Sequence, residues 1–254
     1  MCLDGALVAL EDARIPVTDE GLLRGDGVFE VVRLYEGRPF ALDEHLDRME
    51  RSAENLRLAL ERGAVEADVR ALLAEAGPED GLLRIVVTRG SHRLAMLEPL
   101  PDLPASIALA RVTYAPTRLL DCVKSLSYAA NMLAGRLARE RGFDEALLVT
   151  PQEEVLECPT ASFFWVQDGK LLTPPLDDHV LDSITRRMII SLTGALEQST
   201  SFSELASARE AFIASSVREV LPVHRIERRE LPGGGPVTRS TASAVRDEIR
   251  SRLG

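Results

Sequence analysis

Lysine is nearly absent from this chain. Among 30 lysines and arginines in 254 residues, only Lys124 and Lys170 are lysine. A bias toward arginine explains the scarcity wherever any cation serves. A lysine that persists is either a chance survivor on the surface or one that arginine cannot replace. Arginine cannot give up its proton and attack a carbonyl as a primary amine. Lys170 follows Asp168-Gly169, a hairpin-turn signature, and reads as exposed. Lys124 stands among Val123, Leu126 and Tyr128, ahead of an apolar helical stretch, and is the candidate catalytic amine.

Other scarcities exclude whole classes. Three cysteines, Cys2, Cys122 and Cys158, form neither a disulfide framework nor a zinc pattern, and fit a reducing cytoplasm. The four histidines are scattered singly, with no i,i+4 pair, so no metal site is expected. No apolar run reaches the roughly 18 residues of a membrane span. The first residues, Met1 to Ala6, lack the basic-then-apolar order of a signal peptide. Cations are outnumbered by 40 acidic residues, for a net charge of −10. That excess argues against nucleic acid or an anionic membrane as partner.

What is present suits a folded enzyme. The chain is 45% hydrophobic and 28% charged, ordinary values for a globular protein with a real core. Strands are expected at 6–11, 28–35, 39–42, 82–88 and 107–112, then at 145–150, 155–156, 163–166, 171–173, 211–214 and 220–226. Helices are expected at 43–60, with Asp43 as N-cap, and at 66–76, 128–141, 182–196 and 241–253. The mixture lacks a regular βαβ alternation, so the expected class is α+β, or irregular α/β, in two domains. A smaller domain over 1–113, a connector at 114–118 and a larger domain over 119–254 are the expected division. The Gly25-Asp26-Gly27 stretch does not follow a strand and has no P-loop lysine, so a nucleotide fold is rejected.

An imine-forming lysine calls for companions if its carbonyl belongs to pyridoxal phosphate. The phosphate needs arginine, hydroxyls or a helix N-terminus. The ring nitrogen needs an acid. Glu157, Thr160, Ser162, Ser183, Thr185, Ser215 and Ser216 supply such groups, though the hydroxyls also read as ordinary caps or turns and Glu157 as a solvated acid after a short strand. Arg48 equally reads as a surface pair with Glu44 at i,i+4.

The ordered set of motifs decides among these readings. Gly25-Asp-Gly-Val-Phe-Glu-Val-Val-Arg33, His45-Leu-Asp-Arg48, Lys124-Ser-Leu with Asn131, Gly142-Phe-Asp-Glu-Ala146, Glu157, Leu181 to Arg186 and Glu219-Val-Leu-Pro-Val223 stand in sequence. Together they resemble the class IV, or fold type IV, pyridoxal phosphate enzymes over about residues 5 to 230. That family includes branched-chain and D-amino acid aminotransferases, (R)-amine transaminases and aminodeoxychorismate lyases. The resemblance implies pyridoxal phosphate as cofactor, a two-domain fold and a homodimer.

It also implies roles. Lys124 matches the lysine that binds the cofactor and shuttles the proton. Glu157 matches the acid at the ring nitrogen, and Leu181 an apolar residue under the ring. Arg48, Ile184, Thr185, Ser215 and Ser216 match phosphate ligands. Thr160, Ala161 and Ser162 fall in the cofactor-binding stretch, and Tyr128 near the ring hydroxyl. Phe29, Val31 and Arg93 match substrate-facing positions. Cys158-Pro-Thr-Ala-Ser162 replaces the Gly-Thr-Ser-Ser-Asn typical of D-amino acid enzymes, and Ser183 replaces the usual glycine.

The implied reaction is ping-pong amino transfer from an amino acid (a D-amino acid, an (R)-amine or a branched-chain L-amino acid) to a 2-oxo acid. The alternative is a lyase that expels pyruvate from 4-amino-4-deoxychorismate. That chemistry goes with a threonine where this chain has Val31, and valine cannot relay a proton. A third reading is a non-catalytic protein of the same fold that binds the cofactor. Phe29 stands where the D-amino acid enzymes carry a tyrosine, and Ala95 where they carry the histidine of an Arg-x-His pair.

Overall fold

The computed structural model describes residues 1–254. Two compact units divide the chain: Met1–Pro101 with Val123–Tyr128, and Asp102–Cys122 with Ala129–Arg252. This differs from the division expected at 113–119. Residues 107–113 serve as an inner strand of the second unit's sheet, and 123–128 rejoin the first unit by pairing with one of its strands.

The first unit holds strands β1 (Cys2–Leu3) and β2 (Ala6–Leu7), helix α1 (Glu20–Arg24), strands β3 (Gly27–Tyr35) and β4 (Arg38–Pro39), helices α2 (Leu42–Asn55) and α3 (Arg62–Glu75), and strands β5 (Gly81–Thr88) and β6 (Arg93–Glu98). Its sheet runs β2-β1-β6-β5-β3-β4. β3 alternates with period two. Val28, Glu30, Val32 and Leu34 are all buried on one phase, while Val31, Arg33 and Tyr35 are half-exposed on the other. The buried phase joins Leu83, Ile85 and Val87 of β5 and Leu46, Met49 and Ala53 of α2 in one core. Burying a side chain such as Leu46 or Met49 stabilises by about 2–3 kcal/mol.

Some local expectations shift here. The first expected strand shrinks to Ala6–Leu7, followed by a single 3-10 turn at Leu10–Asp12. Thr18 lies in a turn, and Asp19 after it caps α1. Asp19 is buried, accepts from the Gly21 and Leu22 amides at 2.7 and 3.3 Å, and takes the Thr88 hydroxyl at 2.7 Å. The cap of α2 is Ala41 at φ 55°, not Asp43, which lies in the first turn. β6 was not anticipated; charged residues at both of its ends obscure the alternation that pairs it with β5.

The second unit holds β7 (Ile107–Thr113), α4 (Ala129–Glu140), β8 (Glu145–Val149), β9 (Ser162–Gln167), β10 (Lys170–Thr173), α5 (Ile184–Thr193), β11 (Leu196–Glu197), β12 (Glu210–Ser215), β13 (Glu219–Ile226), β14 (Arg229–Glu230) and α6 (Pro236–Leu253). Its sheet runs β11-β10-β9-β12-β13-β7-β8, with β14 on β13. β8 is buried throughout, and β9 and β12 at all but one end residue, so all three read as continuous apolar runs. The Asp168-Gly169 turn has φ of 50° and 75°, as expected of a tight hairpin, and leaves Lys170 exposed.

α6 begins five residues before its expected start. Pro236 supplies the first helical position. The cap comes from β12: buried Glu210 accepts from the Val237 and Thr238 amides at 3.2 and 2.8 Å and from the Thr238 hydroxyl at 2.8 Å. A carboxylate at a helix N-terminus is also favoured by the helix dipole. Glu210→Ala strands these donors in the interior. It is expected to cost about 2–4 kcal/mol, read as a lower melting temperature, whereas a Ser243→Ala control on the exposed face leaves the melt unchanged.

Candidate active site

Lys124 belongs to no helix or strand. Its segment is laid along β3. The Leu126 amide donates to Gly27 O at 2.9 Å, the Phe29 amide donates to Lys124 O at 3.2 Å, and Ser125 bridges Val28. Gly27 makes the close approach possible, because a Cβ there would lie 2.5 Å from Val87 O and 2.6 Å from a Leu126 methyl. From the other side, the Lys124 amide donates to Ser52 Oγ at 3.1 Å, and Ser52 Oγ donates to Arg48 O at 2.9 Å. Both main-chain polar groups of Lys124 are thereby fixed. Its Nζ lies 4.3 Å from the Phe29 ring centre and 5.9 Å from that of Tyr128. The two rings meet edge to face at 5.3 Å.

Arg48 is buried rather than on the surface, and it pairs with Glu30. Nε donates to Glu30 Oε1 at 2.7 Å and Nη2 to Oε2 at 2.6 Å. His45 Nδ1 stands 2.7 Å from the same Oε2. Burial by itself would raise the Glu30 carboxyl. The Arg48 charge, then His45, and the hydrogen bonds from both, outweigh it and hold the group well below the ordinary carboxylate range. Burial lowers the His45 imidazole below its ordinary value near 6.5, against the pull of Glu30, with Arg48 and Lys124 adding to the lowering.

Sequence reasoning named Arg48 and missed Glu30. The signal was available: a glutamate on the buried phase of an alternating strand needs a cationic partner, and Arg48 lies on the helix that covers that phase.

The second unit carries the other expected residues. Glu157 is half-buried, and its Oε1 accepts from the Leu181 amide at 2.9 Å. Cys158 to Ala161 form a tight turn with reciprocal main-chain bonds of 2.9 and 3.3 Å, and Asn131 donates to Pro159 O at 3.1 Å. Ser162 opens β9 with its hydroxyl buried and without a partner. Ser183 caps α5 through the Arg186 amide, which leaves the amides of the first two helical residues, Ile184 and Thr185, without an intrahelical acceptor.

Arg218, which sequence reasoning passed over, ties three pieces together. Its Nη1 donates to Thr160 Oγ1 at 2.8 Å, its Nη2 pairs with Glu145 at 3.0 Å, and its amide donates to Ser215 Oγ at 3.2 Å. Ser216 follows in the same turn. Arg93 of the first unit donates its Nε to buried Asp68 at 2.9 Å and its amide to Asp4 at 2.7 Å. Ala95 is buried in that unit's core.

Comparison with known proteins places this arrangement. The amino-transferase class IV model matches residues 27–226. The chain therefore belongs to the class IV aminotransferases, pyridoxal-phosphate-dependent transaminases of fold type IV. A putative branched-chain-amino-acid aminotransferase of Methanocaldococcus jannaschii is 33% identical across 99% of this chain and 96% of its own length. A D-alanine aminotransferase of Listeria monocytogenes is 32% identical across 98% and 95%. The crystal structure of a branched-chain aminotransferase from Thermoproteus uzoniensis with norvaline superposes with a TM-score of 0.90 at 31% identity, covering 97% of this chain and 93% of that one.

The donor set fits the cofactor. In the first unit the Arg48 guanidinium, and in the second unit the α5 amides and the hydroxyls of Thr185, Ser215 and Ser216, are each groups that suit a phosphate dianion. A protonated ring nitrogen suits a carboxylate such as Glu157, and a buried hydroxyl without a partner, Ser162, is what a polar ligand would satisfy.

The His45 value gives a pH dependence. Its folded value is the lower one, so the stability it contributes is present above about pH 6.5 and is lost as the pH falls toward the folded value. Melting temperatures of the native chain should therefore decline from pH 7 to pH 5, and His45→Gln, which keeps a donor for Glu30, should flatten that decline. Equal slopes for the two proteins would remove His45 from the account.

Proposed function

We propose that the chain moves the amino group of an amino acid with a methyl or branched alkyl side chain to a 2-oxo acid. The setting of Lys124 carries this reading. Its amine lies 4.3 Å from the Phe29 ring centre, and Val31 follows on the same phase of β3, which offers an alkyl side chain an apolar wall. Arg84, 5.9 Å from the Phe29 ring, is already engaged by both oxygens of Glu98. The relatives named for D-alanine and for branched-chain amino acids fall within the same range of side chains.

Pyridoxal phosphate supplies a carbonyl for amines to condense with and a protonated ring that accepts the electron pair left when the α-proton departs. The residues of the chain do the rest. With the cofactor bound, Lys124 would hold it through its amine and, when released, would serve as the base that moves the α-proton of the donor. Its main chain is fixed by Ser52 and Phe29, so only the side chain has to swing.

Glu157, steadied by the Leu181 amide, keeps the ring nitrogen protonated. Leu181 would pack against the ring, and Tyr128 would serve its hydroxyl. Arg48, the amides of Ile184 and Thr185, and the hydroxyls of Ser215 and Ser216 would hold the phosphate. The turn at Thr160, Ala161 and Ser162 would line the cofactor. Arg93, whose Nε is held by Asp68, would offer its Nη groups to a substrate carboxylate.

The apolar Val31 disfavours the lyase reading, because no side chain there can relay the proton to a departing enol. A homodimer is part of the proposal. Leu10, Val17, Leu22 and Leu23 are 59–76% exposed near the start of the chain, apolar surface that a second copy would cover. Sedimentation at micromolar concentration should give twice the chain mass; a single-chain mass would remove the dimer. Three free cysteines suit a reducing cytoplasm.

The central test is spectroscopic and catalytic together. Purified protein should be yellow, and D-alanine or L-leucine should bleach it without an added oxo acid, which then restores the colour. Lys124→Ala should bind cofactor without that colour and lose at least about 10³-fold in rate. Glutamate as the sole effective donor, or pyruvate released from aminodeoxychorismate at a comparable rate, would overturn the alkyl-donor transaminase reading.

A further inference from the structure

We propose that Glu30 is a positioning residue for the cofactor phosphate: it grips one edge of Arg48 and so decides which N–H groups that guanidinium presents. The inference rests on the reading that Arg48 binds the phosphate, and it adds a residue that the motif comparison left without a role.

A guanidinium is a planar fork with five N–H donors. Glu30 takes two of them along one edge, Nε–H to Oε1 at 2.7 Å and Nη2–H to Oε2 at 2.6 Å. Two parallel bonds fix the plane as well as the distance. The donors on Nη1 and the second one on Nη2 then point away from the Glu30 edge, in a set direction. Glu30 is itself immobile. It has no exposed surface, His45 Nδ1 holds its Oε2 at 2.7 Å, and its strand is paired with β5 from Gly27 to Leu34.

The same stretch of β3 also positions the lysine. Phe29 donates its amide to Lys124 O at 3.2 Å, and the next residue, Glu30, holds Arg48 from the opposite face of the sheet. A second path closes the loop through α2. Ser52, one turn on from Arg48, donates to Arg48 O at 2.9 Å and accepts from the Lys124 amide at 3.1 Å. One strand residue pair therefore references both the amine and the guanidinium to the same rigid frame.

The charge balance separates positioning from attraction. Glu30 cancels the charge of Arg48, so Arg48 serves as a set of aimed donors rather than as a net positive charge. If charge were what mattered, removing the carboxylate would tighten phosphate binding. If aim is what matters, removing it weakens binding of the phosphorylated cofactor and leaves the unphosphorylated one untouched.

Apo-enzyme, stripped with hydroxylamine, is titrated with pyridoxal phosphate and, separately, with pyridoxal, following the absorbance of the bound form. For Glu30→Gln the expected result is a loss of about 10- to 100-fold in affinity for pyridoxal phosphate with pyridoxal affinity unchanged. Arg48→Lys keeps the charge but cannot donate two parallel bonds to Glu30. It should show the same selective loss, which keeps the test open if Glu30→Gln fails to fold. Wild-type or tighter affinity for pyridoxal phosphate in a folded Glu30→Gln or Arg48→Lys protein, or an equal loss for both ligands, overturns the assignment. A wild-type protein that binds neither ligand overturns the transaminase reading, and this inference with it.

Discussion

A carboxylate with no exposed surface stays charged only if cations and donors replace the water it has lost. Glu30 is in that position, and much of the first unit is arranged to meet its demand. Arg48 and His45 come to it from α2, three residues apart on one helical face. That face also carries Leu46 and Met49 into the core. The ionic cluster therefore shares its register with the apolar packing, and a slip in either breaks both. Taking one member away from such a cluster typically costs about 3–5 kcal/mol, because it leaves a buried charge uncompensated.

The arrangement ties stability to function at one strand. β3 alternates with period two, so neighbouring residues serve opposite faces. Glu30 faces the helices, where it anchors Arg48. Phe29 faces the other way, where its ring lies beside the Lys124 amine and its amide holds the Lys124 carbonyl. Gly27 permits the segment bearing Lys124 to approach, since any side chain there would strike the Val87 carbonyl. The second unit shows a comparable economy in Arg218, one side chain that bonds the turn after Glu157 to Glu145 while its amide engages Ser215.

Much of this was legible in the residues. Lys124 stood out by composition, and the order of the motifs named the family before any coordinates. The long apolar strands and the helices with clear stripes fall close to where periodicity put them. What stayed hidden has a common cause. The early start of α6 depends on Glu210, 26 residues upstream, whose carboxylate caps a helix that its own sequence does not cap. The strand β6 is specified by pairing with β5 more than by its own alternation. Arg48 looked equally like a partner of Glu44, because local spacing cannot rank a neighbour on the helix against a residue on another strand.

The sequence by itself determined the alphabet of the candidate site: a lysine where arginine would not serve, an acid, an arginine suited to an anion, and hydroxyls at a helix start and a strand end. It also determined the family, because ordered motifs survive as residue types whatever the packing. Only the tertiary structure decided the partners. It gave Arg48 to Glu30, Lys124 to Ser52 and Phe29, and Arg93 to Asp68. The physical reason is that hydrogen bonds and ion pairs are matters of a few ångströms and of burial. Neither is set until strand register and helix packing have brought together residues tens of positions apart.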